Sequence, residues 1–147
     1  MFEKILYPTD FSEVSKKALD YIKQLKGAGT QEVFVLHVID QREIENVRQH
    51  AERAFGIEEQ LEKIMEKRAQ EETRTLEAEL KERGFNIRVM IVRGIPLREI
   101  LNIEENEDVS VIVIGSHGKS NIEEMLLGSV SEKVIRKCKK PVLVIKR

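Results

Sequence analysis

The chain has one cysteine, Cys138, so no intrachain disulfide can form, and a reducing compartment, the cytoplasm, is the expectation. Its three histidines, His37, His50 and His117, are scattered and show no zinc-type spacing. Tryptophan is absent and aromatics make up 5% of the residues, which leaves few base-stacking surfaces for single-stranded nucleic acid. An excess of one charge is missing too: 25 basic residues face 26 acidic ones, for a formal net charge of −1. That balance exerts no general pull toward nucleic acid or an anionic membrane. No apolar run approaches the ~20 residues of a membrane-spanning helix. The opening stretch carries Glu3, Asp10, Glu13 and Asp20 and does not read as a signal peptide. No nucleic-acid or membrane partner is therefore expected.

What is present suits a single folded unit. A chain of 147 residues (1–147) is one domain's worth. It buries roughly 70% of the surface its unfolded form exposes, enough for a core without staples. Short apolar runs alternate with amphipathic ones. Ile5-Leu6-Tyr7, Val33 to Ile39, Asn86 to Val92, Val109 to Ile114 and Val142 to Ile145 read as strands. Glu13 to Lys26 reads as a helix behind the N-cap Ser12, with Gly27 and Gly29 as stop signals. A looser helical piece covers Glu43 to Phe55. A long helix covers about Ile57 to Arg83, with Ile57, Leu61, Ile64, Met65, Ala69, Leu76 and Leu80 as one buried stripe. Pro96 opens a helix to about Asn106, and Ser129 to Lys139 forms the last one. Strands alternating with helices imply an α/β fold: a doubly wound domain with a five-stranded parallel sheet and helices on both faces.

Such sheets bind ligands beyond the carboxyl ends of their strands. The residues at those ends are Pro8-Thr9-Asp10, Val38-Ile39-Asp40, Arg93-Gly94 and Gly115-Ser116-His117-Gly118. Gly115 and Gly118 permit positive φ and close approach of a ligand to the backbone. Gly128 then precedes Ser129 at a helix start, where unpaired N–H groups and the helix dipole attract anions. Ser129 and Ser131 hydroxyls would add donors. A structural reading stands beside this one: the glycines make a tight turn, and Ser129 with Glu132 forms a capping box. A Walker A loop does not fit, because Gly118-Lys119-Ser120 would place its first glycine at Val113, inside a strand. No dinucleotide fingerprint follows any strand.

The segment Gly115, two residues, Gly118, nine residues, Gly128-Ser129 resembles the nucleotide motif of the ATP-binding branch of the universal stress protein family. Lys4 to Ser12, Leu36-His37-Val38, Gly94-Ile95-Pro96 and Pro141 to Ile145 resemble the same family, so the likeness runs the whole length. It implies a homodimer that binds ATP, or AMP or ADP, with Mg²⁺ as a possible companion, and a role in regulation or stress response. By the resemblance Asp10 lies near ribose or adenine, and the Val38 backbone meets adenine. Pro8 and Thr9 belong to the same loop as Asp10. Gly115, Ser116, His117, Gly118, Gly128, Ser129 and Val130 surround ribose and phosphates. Glu123 and Glu124 would oppose phosphate if they faced it. Two alternatives remain: a slow ATPase or phosphoryl-transfer enzyme, and a dimeric scaffold that binds no nucleotide.

Asp10 is either a ribose or metal-water ligand, or a cap residue before Ser12. His117 is expected to face solvent or to cap, and His37 to be a satisfied core residue. Cys138 is expected to pack on the apolar side of the last helix. Arg136, Lys137, Lys139 and Lys140 complement the C-terminus of that helix. Val142 to Ile145 is a candidate sheet edge, and antiparallel pairing of that edge across a two-fold axis would make the dimer.

Overall fold

Successive side chains of a strand point to opposite faces, so a run buried at every position must be covered on both. Ile5, Leu6 and Tyr7 are fully buried, as are Val33 to Leu36 and Val111 to Val113 to within 2%. In the computed structural model, which describes residues 1–50, 56–117 and 128–147, these runs form the centre of a five-stranded sheet. The elements in chain order are β1 (Lys4–Pro8), α1 (Glu13–Leu25), β2 (Glu32–Asp40), α2 (Gln41–His50), α3 (Ile57–Glu82), β3 (Asn86–Gly94), α4 (Pro96–Asn106), β4 (Val111–Gly115), α5 (Ser129–Lys137) and β5 (Val142–Ile145). All strand pairs are parallel, in the order β3-β2-β1-β4-β5. The doubly wound five-stranded α/β fold is thus the observed one.

The two faces have separate cores. Ile5, Tyr7, Val33, Val35, Val111 and Val113 point toward α1 and α3, against Ala18, Leu19, Ile22, Leu76 and Leu80. Leu6, Phe34, Leu36, Ile112 and Ile114 point toward α4 and α5, against Ile100, Ile103 and Val134. Each such aliphatic side chain contributes about 1.5–3 kcal/mol on burial. Connections that run outward from β1 to β3 use one face, and those that run from β3 back across to β4 and β5 use the other. A single crossover hand requires this arrangement. The strand order reverses between β1 and β4, which opens a crevice at their carboxyl ends.

Several boundaries differ from the sequence reading. α3 does not bury all of its apolar stripe: Ile57 and Ile64 are exposed, Ile64 by 65%, while Ala69, Thr73, Leu76 and Leu80 are buried. Leu61 and Met65, on the same half of the helix, line the cleft instead. β4 begins at Val111 instead of Val109, although Val109 is itself fully buried. α5 ends at Lys137, and Cys138 is already extended. The buried Glu104 carboxylate of α4 accepts the backbone N–H groups of Lys139 and Lys140, which draws the chain out of the helix. Only Arg136 and Lys137 therefore occupy the last helical turn. Cys138 is half-buried against the α4–α5 core, as a packing residue. β5 is an edge strand, and β3 is the other edge. The helical piece expected over Glu43 to Phe55 is α2, described over Gln41–His50; residues 51–55 lie outside the described residues, as do Gly118, Lys119, Glu123 and Glu124.

Candidate functional site

A cleft of ≈ 680 Å³ opens at the carboxyl ends of β1, β2 and β4. That volume is in the range of small-molecule sites. Pro8, Thr9, Asp10 and Phe11 line it from β1 and the loop that follows; Leu36, His37, Val38 and Asp40 line it from β2. Gly115 and His117 come from β4, and Gly128 to Ser131 from the start of α5. α3 supplies one stripe, Leu61, Met65, Arg68 and Ala69, and α2 supplies Arg42 and Glu43.

The β1–α1 loop is held by a hydroxyl network. Thr9 Oγ1 accepts the Phe11 N–H at 3.1 Å and the Ser15 hydroxyl at 2.6 Å. The Tyr7 hydroxyl donates to the Ser15 carbonyl at 2.6 Å, and burial raises its pKa. Asp10 Oδ1 accepts the Ser12 N–H at 3.0 Å, and Ser12 Oγ accepts the Ser15 N–H at 3.3 Å as the N-cap of α1. Asp10 therefore shapes the turn before α1 and also lines the cleft, so both of its expected roles are compatible with its position. Phe11 adopts φ 63°, in the left-handed region, a conformation that costs a bulky residue about 1–3 kcal/mol. Its ring stacks on His37 with centroids 4.3 Å apart. His37 Nδ1 is 2.7 Å from the Thr9 carbonyl. His37 is satisfied, as expected, but it stands half-buried at the cleft and not in the core.

The glycine segment works differently from the expectation. Gly115 does not have positive φ. A Cβ there would lie 3.0 Å from Val14 Cγ1 and 3.3 Å from the Ser15 nitrogen, so the glycine makes room for the first turn of α1. Gly128 is the N-cap of α5, with no side-chain cap, and Ser129 is the first helical residue. The capping box with Glu132 is therefore not formed, and Glu132 pairs instead with Arg136 at 2.7 Å. The Ser131 hydroxyl is not available as a ligand donor, since it donates to the Gly115 carbonyl at 2.7 Å. The first-turn N–H groups of α5 have no intrahelical partners, as at any helix start, and they border the cleft.

His117 is the clearest correction. It is 8% exposed, not solvent-facing. The Gly128 N–H donates to the Ser116 carbonyl at 2.6 Å, which brings the start of α5 down over His117. Ser116 is also buried, and its Oγ lies 2.7 Å from His117 Nδ1. His117 Nε2 is buried with no hydrogen-bond partner among the described residues.

Of the sequence-predicted residues, Pro8, Thr9, Asp10, Val38, Gly115, His117, Gly128, Ser129 and Val130 converge on the cleft; Ser116 does not line it and bonds to His117. Arg93 and Gly94 do not join them. Arg93 is held by Glu62 at 2.7 Å on α3, and the space beside Gly94 is filled by Glu99. Sequence reasoning missed Phe11, Arg42, Leu61, Met65 and Arg68. The helical spacing of Leu61, Met65 and Ala69 was visible, but not that its outer end overhangs the cleft. In the wall, burial pushes the Asp40 carboxyl up, but the Arg42 guanidinium, 2.7 Å away, and the Arg42 N–H outweigh it and hold it below the ordinary carboxylate value.

The chain is an open doubly wound α/β domain with a ligand-sized cleft at its switch point, the place where such folds generally bind small molecules. The universal stress protein family model matches residues 1–146, and the chain belongs to that family. It is 44% identical to universal stress protein MJ0577 of Methanocaldococcus jannaschii over 157 residues, covering 100% of this chain and 96% of that protein. It is 33% identical to universal stress protein YxiE of Bacillus subtilis, covering 99% of this chain and 100% of that protein. The solved structure of MJ0577 superposes with a TM-score of 0.89 at 46% identity, over 100% of this chain and 97% of that one. The same fold recurs in an Arabidopsis thaliana family protein with AMP bound, at 16% identity and a TM-score of 0.65 over 98% of this chain and 91% of that one.

Proposed function

We propose that this chain is a regulatory protein of the stress response that binds ATP, or a related adenine nucleotide, in the β1–β4 cleft. The observation that carries the reading is the start of α5. Its N-cap has no side-chain hydrogen bond, and its first N–H groups border the cleft. Anionic oxygens suit such a place, because the N–H groups and the helix dipole favour negative charge. Gly128, Ser129 and Val130 would hold phosphates. Asp10 would face ribose, and the Val38 backbone would meet the base, with Met65 and Leu61 of α3 closing the apolar side. The AMP bound to the Arabidopsis protein lends the base assignment support at the level of the fold. A Mg²⁺ ion would arrive on the phosphates and keep most of its waters, as it does in nucleotide sites generally. The proposed assembly is a cytoplasmic homodimer joined along the β5 edge.

The test is calorimetric titration of the stripped protein with ATP, with and without Mg²⁺, after chromatographic identification of whatever nucleotide is released on denaturation. Saturable ATP binding that weakens in Ser129→Ala supports the reading. No heat at millimolar ATP in a folded sample would overturn it.

A further inference from the structure

The charges around the cleft set one side chain apart. Its charged lining residues, among those described, are Asp10, Asp40, Glu43, Arg42 and Arg68, so three carboxylates face two guanidiniums. One guanidinium is already engaged. Arg42 Nε donates to Asp40 Oδ1 at 2.9 Å and Arg42 Nη2 to Asp40 Oδ2 at 2.7 Å, a two-pronged pair. Arg68 differs. It is exposed on α3, and among the described residues no carboxylate pairs with it. Glu72, four residues further along the helix, is its natural partner. That carboxylate pairs instead with Lys16 of α1 at 3.2 Å. α3 and α5 cover opposite faces of the sheet, so Arg68 and the start of α5 reach the crevice from opposite sides.

A polyphosphate in this cleft meets an excess of carboxylate, and like charges repel. The start of α5 offsets part of that, since a helix N-terminus carries roughly half a positive charge. A single phosphate is served by its N–H groups. A second and third phosphate bring further charge, and Arg68 on the facing wall is the uncommitted cation that meets it. Resting on the nucleotide reading above, we infer that Arg68 is a specificity-determining residue: its guanidinium pairs with the phosphates beyond the first and so sets a preference for ATP over AMP. Two N–H groups of a guanidinium match two phosphate oxygens, which makes arginine suited to this task. Its exposure leaves the group open to an incoming anion. None of the residues that carry the family resemblance lies on α3, so the glycine-serine motif does not supply this contact.

The experiment compares adenosine, AMP, ADP and ATP by calorimetry at fixed Mg²⁺ on wild type, Arg68→Gln and Arg68→Lys, each checked for folding by its melting curve. Arg68→Gln should weaken ATP binding roughly 10-fold and ADP binding by less, with AMP and adenosine within about twofold of wild type. Arg68→Lys keeps the charge and loses the paired N–H geometry, so it should recover part of the loss. Added salt should weaken ATP binding more steeply in wild type than in Arg68→Gln, because the variant lacks the charge that salt screens. A loss for AMP as large as that for ATP, or no loss for ATP, would overturn the inference and leave the nucleotide site standing. Failure of wild type to bind any of these ligands would overturn the nucleotide reading, and this inference with it.

Discussion

The Ser15 hydroxyl donates to Thr9 Oγ1 at 2.6 Å, and this bond joins the end of β1 to the first turn of α1 across the floor of the cleft. Thr9 Oγ1 also accepts the N–H of Phe11, whose left-handed backbone directs its ring onto His37. Thr9→Val keeps the side-chain shape and deletes the acceptor. Two buried donors lose their partner, and stability should fall by about 1–3 kcal/mol. Urea unfolding checks this. An unchanged midpoint and slope would mean the loop is held by packing alone.

Gly128→Ala isolates a close approach from backbone conformation. Gly128 has φ −60° and ψ 153°, ordinary for alanine, so only sterics oppose the change. The new methyl would meet the His117 backbone at 3.0 Å, and a main chain cannot turn aside as a side chain can. Overpacking of this kind costs about 1–3 kcal/mol. Melting temperature and ATP affinity should fall together, since the strain falls on the start of α5. A loss of stability with full affinity would separate α5 from the ligand.

The Asp40–Arg42 pair predicts a pH dependence. The carboxyl is held below its ordinary value of 3.8 in the folded state, so it binds its proton more weakly there than in the unfolded chain. Its contribution is complete above about pH 4 and disappears as pH falls through the lower folded value. The Arg42 side chain is 56% exposed, which limits the effect to roughly 1 kcal/mol or less. Arg42→Gln should lower stability slightly at pH 7 and flatten the acid limb below pH 4 in urea titrations. Parallel acid limbs would show that the pair does nothing measurable.

The proposed dimer seam can be tested without harming the sheet. The Ile112 N–H donates to the Pro141 carbonyl and the Ser116 N–H to the Ile145 carbonyl, so alternate residues of β5 face β4. By the same alternation the backbone groups of Val142 and Val144 point to the open edge. Val144→Pro removes an outward donor and should shift the mass measured by light scattering from dimer to monomer in a folded protein. An unchanged dimer mass would place the interface elsewhere.

Element type was legible in the sequence wherever burial on both sides left a continuous apolar run, as in Val33 to Ile39, or wherever one helical face was apolar, as in Val14, Ala18, Leu19 and Ile22. These patterns are local, and period alone reveals them. The residues at the strand ends were legible for a topological reason: a parallel sheet with alternating helices puts its crevice there. The glycine-serine spacing marked one wall of the cleft, and family membership confirms the resemblance on which that reading leaned.

Contacts between distant segments decided the rest. Nothing near Gly115 in the chain announces that its missing side chain makes room for Val14 and Ser15, a hundred residues earlier. The outer half of α3 looks as apolar as the inner half, yet Ile64 is 65% exposed while Leu76 and Leu80 are buried. His117 reads as a loop residue among glycines, yet it is buried, beside the point where Gly128 bonds to Ser116 at the start of α5. Sequence determined which segments were strands and helices, since that depends on residues a few positions apart. Burial, and with it the chemistry of each polar group, depends on what the folded chain brings alongside, and only the tertiary structure fixes that.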